Sequence, residues 1–236
     1  MDIAIIGTGR AGTSFAIALE KVGHVVRQYS HDDVAALGDP DVVLLCVPDD
    51  AIGDVARAIR PGRFVVAHVA GSRNLDVLAP HQRLGSLHPL AVLSAGELGA
   101  RRLHAATYCV NGDPLVVELA QSLEGRIITI PDEERTLYHA TATVAANHLV
   151  ALMGHVQRLS QAAGLRLEDF LDLSRQALDD VVEFGPAKAL TGPASRGDMA
   201  TIDAHLHAIP DEERGTYVAL TNAAFELSER RTSTSS

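Results

Sequence analysis

The chain has 236 residues, 47% hydrophobic and 21% charged, enough to bury a real core in one large domain or two small ones. Thirty acidic against twenty basic side chains give a formal net charge of −10, which argues against nucleic acid as a partner because an acidic surface repels phosphate polymers. Cys46 and Cys109 cannot build a disulfide framework, the opening apolar run is too short for a secretory signal, and no run approaches the roughly 18 apolar residues of a membrane span, so the expectation is a cytoplasmic, globular protein with no membrane partner.

Through the first 130 residues short apolar runs alternate with helical spacing. Ile3–Ile6, Val25-Val26, Asp41–Val47, Phe64–Ala67, Leu84–Leu87 and Arg126–Ile130 read as strands, and residues 11–22, 49–59 and 113–124 as helices. Continuous apolar strands separated by helices predict a parallel sheet covered on both faces. After Pro131 the strand signal ends. Helical spacing covers 133–163, 168–184 (stopped by Gly185-Pro186), roughly 199–208 and roughly 212–230, and a frayed tail is expected over 231–236. The hexapeptide Ile-Pro-Asp-Glu-Glu-Arg occurs at 130–135 and again at 209–214, each copy suited to starting a helix. The expected fold class is α/β: a dinucleotide-binding domain over 1–132, then a smaller all-helical domain over 133–230.

Gly7-Thr8-Gly9-Arg10-Ala11-Gly12 follows the first strand and opens the first helix. In that context a GxGxxG turn has a mechanism: Gly7 permits the tight turn, Gly9 lets backbone N–H groups approach a pyrophosphate, and Gly12 lets helix and strand pack closely. The second strand continues through Arg27-Gln28-Tyr29-Ser30-His31 with no carboxylate at its end, while Asp32 and Asp33 come late and can cap the next helix instead. An acid there would accept from the ribose hydroxyls of NAD and repel a 2′-phosphate, so its absence favours NADP over NAD, with Ser30 and His31 as hydrogen-bonding groups. Val47 and Pro48, at the carboxyl end of the third parallel strand, are expected along the cofactor, and Asp49 or Asp50 is expected to cap the following helix.

The stretches GTGRAG, VPDD, Val66–Ser72 and Ser86–Leu90, with Tyr138-His139-Ala140, Ala146–Leu149, Leu190–Asp198 and His205-Leu206, resemble Rossmann-like oxidoreductase-related proteins that carry an uncharacterised helical C-terminal domain. That group is similar in fold to ketopantoate reductases, pyrroline-5-carboxylate reductases and 6-phosphogluconate dehydrogenases. The resemblance implies a helical domain closing over the nicotinamide, within a homodimer. It also implies a catalytic Lys four residues before Asn147, where this chain has Thr143.

His88, at the end of a strand and before Pro89, is a candidate proton donor, since an imidazole titrates near neutrality; the alternative is a loop histidine packing on its neighbours. His139, Thr143 and Asn147 fall at i, i+4 and i+8, a polar stripe able to face a ligand or another helix. His139 can replace the missing Lys as proton donor, Thr143 can line the substrate site, and Asn147 can orient a carbonyl. In the Thr191–Asp198 loop, Gly192 backbone and Arg196 can hold a substrate carboxylate, or Arg196 can pair with Asp198, which caps the next helix. No metal site is expected, because the histidines lack a convincing third ligand and the cysteines sit in predicted strands. Together these features predict an NADP-dependent oxidoreductase reducing a small carbonyl or imine, with a ketopantoate-like 2-oxo acid as the substrate class. A non-catalytic nucleotide-binding sensor or regulatory dimer is the rival.

Overall fold

The six apolar runs of the first half and a further strand at Thr107–Gly112 line up as one seven-stranded sheet in the order β2-β1-β3-β4-β5-β6-β7. In the computed structural model, which describes residues 1–30 and 33–233, these are β1 (Asp2–Ile6), β2 (Val25–Tyr29), β3 (Val42–Leu45), β4 (Val65–His68), β5 (Leu84–Pro89), β6 (Thr107–Gly112) and β7 (Arg126–Ile128). Every neighbouring pair is parallel except β5–β6, which is antiparallel. The all-parallel sheet expected from the alternating pattern is therefore broken at one seam.

The cause lies in the segment after β5. Helix α1 (Arg10–Lys21) is followed in the chain by α2 (Ile52–Ala58) and then by α3 (Glu97–Leu103). The α3 segment is committed to α1: the Ser14 hydroxyl donates to Ser94 O at 2.8 Å and Lys21 pairs with Glu97 at 2.5 Å. A Cβ on Gly99 would stand 2.0 Å from Ser14 Oγ, so only glycine permits this approach. Chain held on α1 does not serve as a crossover, and β6 returns beside β5 in the opposite direction.

Strand alternation sorts the core into two layers. One face carries Ile3, Ile5, Val42, Leu44, Val65, Leu87 and Val110 against Phe15 and Leu19 of α1, Leu103 of α3 and Leu119 of α4 (Pro114–Ser122). The other carries Ala4, Ile6, Val43, Leu45 and Val66 against Ile52 and Val55 of α2. On that second face the register places Ile6 beside Leu45, Leu45 beside His68, His68 beside Ser86 and Ser86 beside Asn111. Halfway across the sheet, one row turns from apolar to polar.

The chain divides into two compact units, Met1–Ala146 and Asn147–Ser236. The division falls after the expected residue 132 because the start of the helical run belongs to the sheet. Helix α5 (Arg135–Thr143) is bonded to β5 and β6 through Arg135, and to His88 through Tyr138. The run is not one helix either: Val144–His148 forms a π-helical turn before α6 (Leu149–Ala162). Its i→i+5 bonds interrupt the 3.6-residue stripe assumed for His139, Thr143 and Asn147.

The second unit holds α6, α7 (Glu168–Phe184), α8 (Pro186–Ala189), α9 (Gly192–Arg196), α10 (Met199–Ala208) and α11 (Asp211–Ser233). Its long helices match the sequence expectation closely, and the Asp198 carboxylate caps α10 by accepting from Thr201 N at 3.1 Å. Three expectations change. The Thr191–Asp198 loop contains the turn of α9, α11 continues to Ser233 into the segment assigned to a frayed tail, and Asp49 and Asp50 do not cap α2. Ala51 occupies that cap position without a side-chain bond, because the Asp49 carboxylate is taken by the Ser72 hydroxyl at 2.6 Å. No helix among the described residues is long and apolar enough to cross a membrane.

Candidate functional site

The glycine-rich turn separates packing from ligand space by steric argument alone. Gly7 has φ +119°, donates its N–H to Tyr29 O at 2.9 Å, and has no room for a Cβ, which would fall 2.3 Å from Cys46 O. A Cβ on Gly12 would fall 1.9 Å from Gly7 O. These two glycines are needed by the fold itself. Gly9, the N-cap of α1, has nothing within 4 Å of a built Cβ, and its φ of −77° is open to any residue. The head of α1 carries no side-chain cap and no acidic residue in its first turn, so its free N–H groups and positive dipole end face outward. These features fit a diphosphate held against Gly7–Gly12.

The remaining cofactor candidates flank this turn. Val47 and Pro48 follow β3 next to Cys46, whose N–H donates to Ile6 O at 2.8 Å, so they sit at the carboxyl edge beside the glycine turn. The Ser30 hydroxyl donates to Asp33 Oδ2 at 2.7 Å, which brings a carboxylate to the end of β2 that spacing alone had placed too late. His31 and Asp32 lie outside the described residues. Thr8, Arg10 and Ala11 lie in or directly after the turn, with the Arg10 carbonyl accepting the Ser14 hydroxyl at 2.7 Å.

Along the same carboxyl edge a polar cluster replaces the apolar cover. The Tyr138 hydroxyl and His88 Nδ1 are 2.6 Å apart, and the His139 ring stands edge-on to His88 with centroids 6.4 Å apart. Burial, with the neighbouring His139 and Arg135, pushes the His88 imidazole down to about 4 rather than near neutrality. Burial, with the adjacent Cys109, pushes the Tyr138 phenol up. Both groups are therefore neutral, and with Tyr138 donating and Nδ1 accepting the His88 ring proton would sit on Nε2. A Cβ on Gly71 would meet His88 Nε2 at 2.8 Å and His139 Cδ2 at 2.9 Å. The missing side chain at position 71 is what keeps that edge uncovered.

Beneath this cluster lie His68, wholly buried at the end of β4, and Arg135, 1% exposed. Arg135 Nη2 donates to Asn111 Oδ1 at 3.0 Å and to Ser86 Oγ at 3.4 Å. His68, Arg135 and Tyr138 were not singled out as site residues in the sequence. The available signal was a histidine ending an otherwise apolar strand and an arginine closing the repeated hexapeptide, both of which read as local structure.

The structure brings His88 and His139 together in the first unit and places Thr143 on the same helix. Asn147, Gly192 and Arg196 belong to the second unit, where Asn147 and Arg196 are exposed. There the Glu213 carboxylate accepts from His155 Nδ1 at 2.6 Å and from Arg158, beside a cavity of about 300 Å³ bounded by Ile202, Tyr217 and Pro193. Arg158 and His155 hold the Glu213 carboxyl below the usual range. Among the described residues no group of three or more His, Cys, Asp or Glu could hold a metal ion, and burial pushes the Cys46 thiol up.

The sequence profile of a Domain of unknown function (DUF2520) matches residues 106–224. No curated protein matches the chain. Among solved structures, the chain is similar to a Bacteroides fragilis protein provisionally described as an NADP oxidoreductase, at 21% identity over 95% of this chain and 97% of that one, with a TM-score of 0.76. A protein from Thermotoga maritima matches at 21% identity over 98% and 99%, with a TM-score of 0.75. A reductive aminase from Aspergillus terreus in complex with NADPH and ethyl levulinate matches at 14% identity over 97% of each chain, with a TM-score of 0.69. At these identities the likeness is one of fold: a Rossmann-like domain followed by a smaller helical one.

Proposed function

We propose that this chain, which belongs to the DUF2520 family, is an NADP-dependent reductase of a small carbonyl or imine, with a 2-oxo acid as the substrate class. The observation that carries the reading is Gly9: it heads α1 without steric need for glycine, on the edge of the sheet that also holds His88 and Tyr138. The NADP oxidoreductase description and the NADPH complex of the compared structures support it, and they alone favour NADP over NAD, since the Asp33 carboxylate stands at the end of β2.

Bound NADPH would supply the hydride. The chain's own part is to hold the diphosphate on the Gly7–Gly12 amides, with Val47 and Pro48 along the cofactor and Ser30 beside the adenine ribose. Tyr138 fixes His88 as a neutral imidazole whose Nε2–H is left uncovered by Gly71, so His88 donates a hydrogen bond to the substrate oxygen or nitrogen without being its acid. His139, beside it, is the group proposed to deliver the proton, in place of the Lys that the resembling enzymes carry where this chain has Thr143. Asn147, Gly192 and Arg196 remain candidates for orienting the substrate.

A homodimer is part of this reading. Helix α7 is amphipathic, yet none of its residues is buried: Leu173, Leu178, Val182 and Phe184 all stay exposed, and a second copy of the chain would cover them. The test of the function is calorimetric titration with NADPH and NADH, followed by NADPH oxidation across a panel of 2-oxo acids and cyclic imines. Tight NADPH binding with turnover of at least one class is expected. No heat with either nucleotide would overturn the reading. Binding without turnover, unchanged in His139→Ala, would favour the nucleotide sensor.

A further inference from the structure

The repeated hexapeptide provides an internal control. In the second copy Arg214 stays local: Nε donates to Ile209 O at 3.0 Å, Nη1 pairs with Asp211 at 2.7 Å, and the side chain is 42% exposed. In the first copy the corresponding carbonyl, Ile130 O, is taken by Asn111 Nδ2 at 3.0 Å. Arg135 turns inward onto the sheet instead. Its Nη2 is bonded to Asn111 and Ser86, but Nε reaches the Asp132 carboxylate only at 3.8 Å.

Arg135 Nε and Nη1 and both ring nitrogens of His68 are buried and lack a hydrogen-bond partner, and they are the only such side-chain atoms among the described residues. The backbone at Asn74 and Ala70 approaches His68 without completing a bond. Buried polar atoms are nearly always paired, and one lone exception is rarer than the rule; four in a single cluster, three N–H donors and one imidazole acceptor, mark a built site. A guanidinium keeps its charge. Around it Tyr138, Cys109 and the imidazoles of His68 and His88 are neutral at pH 7, His68 being pushed down to about 4 by burial and then by Arg135. The two carboxylates in reach are both exposed: Asp132, and Asp49, which is already bonded to Ser72. The one ion pair of Arg135 among the described residues is the long contact to half-exposed Asp132, 3.8 Å from Nε and not a hydrogen bond. Beside it, a polar cavity of about 390 Å³ is bounded by Asn74, the carboxylates of Asp76 and Asp132, and Arg73, the last exposed and without an ion pair among the described residues.

We propose that Arg135 and His68 form a binding site for one small monoanion, and that its ligand is the carboxylate of the substrate, taken beside His88 and Tyr138. This rests on the reductase reading and moves the anionic end of the substrate from Arg196 to Arg135. The same chemistry would accept a free anion such as chloride, and the two sources separate by competition. In nucleotide-free, chloride-free protein, the ¹⁵N resonance of Arg135 Nε–H is followed while pyruvate, methyl pyruvate or chloride is added at constant ionic strength.

The expected result is a saturable shift with pyruvate, none with methyl pyruvate, and displacement of chloride by pyruvate. Arg135→Gln and His68→Phe should weaken pyruvate binding by about 10- to 100-fold, the scale of charge-assisted hydrogen bonds. Chloride binding that pyruvate does not displace would overturn the substrate assignment. No shift with any anion would overturn the site, and this arm needs only the wild-type chain, so a variant that fails to fold does not block it. Because no nucleotide is present, failure of NADPH turnover would sink the reductase reading independently.

Discussion

The two units of the chain are stabilised in different ways. The first, Met1–Ala146, buries two complete apolar layers, one on each face of its sheet. Among the described residues the second, Asn147–Ser236, has one buried hydrophobic side chain, Ile202, and the other buried ones are His155, Ser160 and Glu213. Burial of apolar surface is the main favourable term in folding, at about 25 cal/mol per Å². The first unit therefore has what it needs to fold alone, and the second lacks it. A helical unit with so thin a core needs its apolar helix faces covered from outside, which is the physical content of the dimer proposal.

The largest effect expected is on the first unit's core. Gly12→Ala drives a Cβ into Gly7 O and should destabilise the chain by about 3 kcal/mol or more, seen as a fall in thermal midpoint. Gly9→Ala meets nothing, so its midpoint should match the wild type while NADPH affinity falls by roughly tenfold or more. If both variants lose stability equally, the separation of packing glycines from the ligand glycine is wrong.

The second unit should respond to concentration. Val182→Asp, on the fully exposed side of α7, should turn a dimer into a monomer in light scattering and abolish the rise of thermal midpoint with protein concentration. A wild-type chain that is monomeric at every concentration would break the comparison, because the second unit would then be stable without cover.

Acid should act on the first unit. His68 and His88 are held at about 4 against an ordinary 6.5, so the folded state resists protons that the unfolded chain accepts. Their contribution is fully present above pH 6.5 and is lost as pH falls from 6.5 toward 4, by about 3 kcal/mol for each histidine as an upper bound. Denaturant midpoints measured between pH 4 and 8 should therefore plateau above pH 6.5. Gln at position 68 should flatten part of the slope.

How much of this was legible depended on whether the signal was local. Gly7–Gly12 and the bounds of α7 and α10 could be read because strand, turn and helix periodicity lie within a few residues of each other. The antiparallel seam could not, since it depends on α3 docking against α1 through Gly99, a contact between residues far apart in sequence. The candidate site divided the same way. His88 and His139 are candidates by position along their own elements, whereas Arg135 was hidden because the identical hexapeptide makes a plain helix start at 209–214. Asn111 of β6, which takes Ile130 O, and Ser86 of β5 divert it.

The smallest effect belongs to a glycine of the second unit, and it closes the contrast with Gly12. Gly197 ends α9 at φ +67° with nothing within 4 Å of a built Cβ. Its role is conformational: an L-residue there meets no neighbour but must adopt the left-handed region, at about 1–2 kcal/mol for Ala. Asn, which tolerates that region, should lose less than Ala, and Val more. Gly12 should show no such ranking, because its obstacle is Gly7 O and every side chain shares the Cβ that meets it. Thermal midpoints of Gly197→Asn, Gly197→Ala and Gly197→Val that fall in that order would show a glycine that shapes a turn, where Gly12 admits a contact.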